Sequence, residues 1–135
     1  MKINTTPKIV NATPENVFNF LFDMNNFQEL FPADKVENWN STDEFCTFRI
    51  KGMTDIGLKR VAATPNSLIY LDSHGKVPFK FTLNIFLNPV NDTQTEAHLE
   101  FDGDVNPFLK LMVETPLTNF FNMLSDKLVE KFKSE

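Results

Sequence analysis

The chain has 135 residues, with 13 Lys and Arg against 18 Asp and Glu, a formal net charge of −5 and a single cysteine. That length suits one domain of ordinary size, and residues 1–135 are read as one. An acidic chain lacks the basic stripe that phosphate contacts require, which excludes nucleic acid from the expected partners, and lone Cys46 excludes a disulfide framework or a multi-cysteine metal site.

Lys2 to Ala12, rich in Ile, Thr and Val, reads as a strand. Thr13-Pro14 supplies an N-cap followed by proline at the first helical position. Val17, Leu21, Met24 and Gln28 follow at helical spacing, with Phe18, Phe20 and Phe22 widening the apolar face. Asn25-Asn26 interrupts this helix. Phe27, Leu30 and Phe31 predict one more short turn before Pro32.

From Val36 the period changes to two. Cys46, Phe48 and Ile50 alternate with polar residues up to Gly52, then Ile56 and Leu58 do the same. Ser67 to His74 is a further strand, bounded by Pro65-Asn66 and Gly75-Lys76. Phe79, Phe81, Leu83, Ile85 and Leu87 form the clearest alternation. Asn88 to Thr93 reads as a loop, and Thr95, Ala97, Leu99 and Phe101 alternate again. Short links between such strands imply an antiparallel meander with one buried face.

Asn106-Pro107 repeats the cap-and-proline start. Leu109, Met112, Val113, Leu117, Phe120, Leu124 and Leu128 mark one apolar stripe, which continues across Pro116. One long bent helix is therefore expected, rather than two.

The order strand, two short helices, meander and long terminal helix resembles the START-like superfamily, also called SRPBCC. The stretches ATPENVFNFLFDMNNFQELFP, RIKGMTDIGLK, PFKFTLNIFL and NPFLKLMVETPLTNFFNMLSDKLVEKF carry the likeness. It implies an α+β helix-grip fold: about six or seven antiparallel strands wrapped around a long C-terminal helix, with two short helices after the first strand. It also implies an apolar cavity between sheet and helix. Lipid-transfer domains, hormone and metabolite binders, polyketide cyclases, coenzyme Q carriers and chaperone activators share this fold. The chaperone activators carry tryptophan-rich motifs near the first helix, whereas Trp39 here is alone and on an expected strand. The iron site of the oxygenase branch has no counterpart in His74 and His98.

The expected function is the enclosure of a hydrophobic small molecule, such as a lipid, an isoprenoid or quinone, or an aromatic metabolite. An alternative is a polyketide cyclase or dehydratase-like enzyme using the same pocket. A third is a protein-interaction domain with a filled core. No catalytic residue, metal ligand or cofactor is assigned. The expected lining comprises Phe27 and Phe31; Phe48, Ile50, Leu58 and Arg60; Ile69 and Leu71; Phe81, Leu83, Leu99 and Phe101; and Phe108, Met112 and Phe120 on the long helix. Met24 and Met123 are further lining or core residues. Arg60 is in phase with Ile56 and Leu58 unless the register switches at Val61-Ala62; facing inward, it would suit a ligand carboxylate. Tyr70 and His74 share a phase, but the Ile69–Leu71 phase is the more apolar and expected inward. Glu96, His98 and Glu100 share the face opposite Leu99, expected to be solvated. Cys46 reads as a small buried hydrophobe. The N-terminus has no apolar signal-peptide core, and no run reaches the roughly 20 apolar residues of a membrane span. A cytoplasmic monomer or weak homodimer is expected.

Overall fold

A computed structural model describes residues 1–133; residues 134 and 135, the end of the span read as one domain, lie outside the described residues. Eight strands form one antiparallel sheet: β1 (Lys2–Asn4), β2 (Lys8–Val10), β3 (Val36–Ser41), β4 (Phe45–Ile50), β5 (Thr54–Thr64), β6 (Leu68–Ser73), β7 (Phe81–Asn91) and β8 (Gln94–Gly103). The spatial order is β1-β8-β7-β6-β5-β4-β3, with β2 also pairing β8. The helices are α1 (Pro14–Phe22) and α2 (Pro107–Lys131), with a short 3-10 helix at Met24–Glu29. This is an α+β helix-grip fold.

The expected opening strand is two strands, which brings the total to eight. Pro7 has no N–H to give to a ladder, and Thr5 takes over locally. Its N–H donates to the Leu99 carbonyl at 3.0 Å, and its buried Oγ1 accepts from Leu99 N at 2.9 Å. The expected loop at Asn88–Thr93 is instead mostly ladder. Pairing continues through Pro89 opposite Thr95, and the missing donor is absorbed by a register shift between Pro89 and Asn91.

Both helix starts form as their caps dictate. Thr13 Oγ1 accepts from Asn16 N at 3.2 Å, and Asn106 Oδ1 accepts from Leu109 N at 2.8 Å. Asp23 ends α1, and its side chain accepts from Asn25 N to open the 3-10 turn. Along β8 the inward positions Thr95, Ala97, Leu99 and Phe101 are all buried, as are Phe81, Leu83, Ile85 and Leu87 on β7. These two strands and α2 enclose the centre of the core.

Helix α2 runs unbroken through Pro116. Its 25 residues span about 37 Å. Val113, Leu117, Phe120, Phe121, Leu124 and Leu128 are buried against the sheet, whereas Phe108, Leu111 and Met112 are 75%, 87% and 60% exposed. The C-terminal end is pinned: Lys131 Nζ meets Glu29 Oε1 at 2.8 Å, and Phe132 packs edge-on against Phe20. In the N-terminal turns, Leu109 and Val113 alone of the apolar stripe keep contact with the core.

One glycine fixes how β5 meets the end of β6. A Cβ on Gly57 would lie 1.8 Å from the His74 carbonyl oxygen, while Gly57's own carbonyl accepts from His74 N at 2.9 Å. Only glycine allows that approach.

Candidate functional site

The space where a helix-grip cavity would lie is occupied by rings. Phe31, from the chain leaving the 3-10 helix, stacks on Phe120 of α2 at 4.9 Å between centroids and packs on Phe48 of β4 at 4.6 Å. Trp39 of β3 closes a triangle with these rings, stacking on Phe48 at 5.5 Å and lying 5.7 Å from Phe31. Deeper in, Phe101 meets Phe81 and Phe121, each at 5.1 Å. Phe27, Leu58, Ile69, Leu71, Leu83 and Leu99 are likewise packed into this core. Met24 is fully buried there too.

Open space lies at the edge of that core. A groove of about 560 Å³ separates the first half of α2 from the β4–β5 turn. Its helix wall is Leu109, Met112, Val113, Pro116, Asn119, Phe120 and Met123. The facing wall is Lys35 and the run Ile50 to Thr54, and Pro78 closes one end. Such a volume is within the range of small-molecule sites, roughly 300–1,000 Å³.

Local sequence builds each wall. The β4–β5 turn is closed by Met53 N donating to the Ile50 carbonyl at 3.0 Å, and Gly52 sits at φ 76°, a conformation glycine adopts at little cost. No atom lies within 4 Å of where its Cβ would be, so the turn leaves the groove open. On the helix, Pro116 has no N–H for the Met112 carbonyl, leaving that acceptor without its helical partner beside the groove.

Of the residues expected to line a cavity, the structure brings Ile50, Met112 and Phe120 to this groove, together with Met123. Phe120 is its floor and Met112 its rim, although both lie on one helical stripe; Met112 is 60% exposed and Phe120 is 4% exposed. Phe108, in the first turn of α2, is 75% exposed and is not part of the groove. The groove residues that sequence reasoning missed come from four separated segments. The one local signal was the glycine turn in RIKGMT.

Arg60 stands elsewhere. It pairs with buried Leu71, so it is on the inner face, with a register shift following it. There the face is capped by the end of α1. The guanidinium lies 3.7 Å from the Phe22 ring centroid, and Nη1 donates to the carbonyls of Asp43, at 2.9 Å, and Phe22. Six residues of β5 put it about 20 Å from Thr54 at the groove. Tyr70 is on the exposed phase of β6, and His74 packs on Phe45 at 4.6 Å. His98 is on the outer face but is not simply solvated. It stacks on Phe86 at 4.9 Å, and its Nε2 lies 3.0 Å from Glu100 Oε2. Burial pushes the Cys46 thiol up to about 12, against a weaker lowering by a backbone hydrogen bond at Leu58. It is a packed thiol and not a nucleophile.

Among the described residues, no group of three or more His, Cys, Asp or Glu could hold a metal ion, and no helix is long and apolar enough to cross a membrane.

No protein-family model matches the sequence, and no curated protein matches it. Solved structures do match the fold. A conserved protein from Geobacillus kaustophilus superposes with a TM-score of 0.73 at 14% identity, over 98% of this chain and 95% of that one. A START superfamily protein from Mycobacterium smegmatis gives 0.70 at 12% identity, over 97% and 96%. Norcoclaurine synthase from Thalictrum flavum, solved in complex with dopamine and hydroxybenzaldehyde, gives 0.72 at 14% identity, over 100% and 89%. The chain therefore has the START-like fold.

Proposed function

We propose that the protein binds a small apolar molecule in the groove between α2 and the β4–β5 turn. The observation that supports this is the groove's composition: most of its lining is apolar side chain, with Met53, Met112 and Met123 adaptable to ligand shape. Burial of apolar surface, at roughly 25 cal/mol per Å², would supply the affinity. Norcoclaurine synthase holds aromatic small molecules on the same fold, which is consistent with this use.

The test is uptake of N-phenyl-1-naphthylamine, a neutral lipophilic fluorophore. Its fluorescence should rise and saturate near one probe per chain, with little salt dependence. Met112→Trp should weaken uptake at least tenfold by filling the rim, with stability nearly unchanged because Met112 is mostly exposed. Saturable uptake that Met112→Trp leaves intact would place binding outside this groove.

The filled aromatic centre supports a second reading, a domain that meets another protein through exposed Phe108 and Leu111. No saturable probe uptake would favour it.

A further inference from the structure

We propose that the groove selects single-chain amphiphiles with an anionic head, held by Lys35 and Lys51 while the chain lies along α2. This rests on the reading that the groove binds an apolar molecule. The protein carries a net charge of −5, yet the charged residues lining the groove are two lysines, with no carboxylate among the lining. Both lysines come from the wall facing the helix, and their backbones are joined there: Lys51 N donates to the Lys35 carbonyl at 2.9 Å. Two ammonium arms thus start from one place. Ion pairs elsewhere engage Lys8, Arg49, Lys110, Lys127 and Lys131; among the described residues, neither Lys35 nor Lys51 is in one. The opposite wall is mostly apolar, through Leu109, Met112, Val113 and Phe120, and it carries no charge; its polar side chain is Asn119. A molecule satisfying both walls has an anion at one end and hydrocarbon along its length. The chemistry places the anion at the Lys35–Lys51 wall and not at Arg60, whose guanidinium is occupied at the end of α1.

Titration calorimetry with dodecanoate and 1-dodecanol separates head from chain. At low ionic strength dodecanoate should bind about fivefold more tightly, the size that two exposed ion pairs allow. High salt should erase the difference. In Lys35→Gln/Lys51→Gln the two ligands should bind alike, and a circular dichroism spectrum like that of the native protein reports that the variant is folded. Equal affinities in the native protein would overturn the head assignment and leave the groove reading standing. A dodecanoate advantage that survives the double substitution would also overturn it. Binding of neither ligand would overturn both.

Discussion

Phe31 and Phe120 stack with ring centroids 4.9 Å apart and an interplanar angle of 26°, joining the end of the 3-10 helix to the middle of α2. This contact divides the interior. On one side is packed aromatic core; on the other is the open groove, whose floor is the Phe120 ring. The pair therefore sets how deep a ligand would reach on the proposed function.

Phe120→Ala tests that division. Removing a buried ring from a close-packed interior costs about 3–5 kcal/mol through lost transfer and a residual cavity. Urea unfolding should show a loss of that size. The groove should then extend inward toward Phe31 and Phe48, so lipophilic probe affinity should hold or rise in the fraction still folded. A small stability loss would mean that the stack is not a structural partition. Lower affinity in folded protein would mean that the Phe120 ring itself makes the binding contact.

The inner face of the sheet was legible because alternation is local. Phe81 to Leu87 and Thr95 to Phe101 announce their buried sides in a period of two, and Thr13-Pro14 and Asn106-Pro107 announce both helix starts. The groove was not legible, for three physical reasons. Periodicity reports that Phe31, Phe48 and Phe120 face inward, but not whether the rings leave room between them. The α2 stripe keeps its phase where it borders open space, so Met112 reads like Phe120 although one is 60% and the other 4% exposed. The facing wall joins Lys35 to the Ile50–Thr54 turn by strand pairing, a contact with no signature in either segment alone. Arg60 shows a related gap. Its phase with Ile56 and Leu58 left both an inward arginine and a register switch open, and what covers that face, the end of α1, depends on how the helix packs.

Arg60 supplies the next prediction. Its guanidinium bridges the Phe22 carbonyl and ring to the Asp43 carbonyl, so it fastens α1 to the β3–β4 turn. Arg60→Ala should destabilise by about 1–2 kcal/mol, from a cation–π contact and charge-assisted hydrogen bonds at a half-buried site. Arg60→Lys should recover little of this, because an ammonium cannot present the same planar fork. Affinity for dodecanoate should not change in either variant. A selective loss of dodecanoate binding, with stability intact, would show that Arg60 and not the Lys35–Lys51 wall holds the anion.

Cys46 gives a pH dependence whose sign follows from its burial. The folded chain keeps the thiol protonated to about pH 12, whereas the unfolded chain loses that proton near its ordinary value of 9.0. Between these limits the unfolded state holds fewer protons, so stability falls as pH rises. Below pH 9 both states hold the proton, and Cys46 contributes no slope. Other contributions to alkaline unfolding cancel only against a matched variant, so the measurement must compare the native protein with Cys46→Ala. The variant starts less stable, because a sulfur has been removed from a packed site between Leu58 and its neighbours. Urea midpoints taken from pH 8 to pH 11 should then converge, the native protein losing up to about 1.4 kcal/mol per pH unit more than the variant above pH 9. In parallel, Ellman's reagent at pH 8 should react with folded protein only as fast as the chain opens, and promptly in urea. Parallel midpoints at every pH, or prompt reaction of the folded chain, would mean that the thiol reaches water and that the sheet around β4 is looser than its packing indicates.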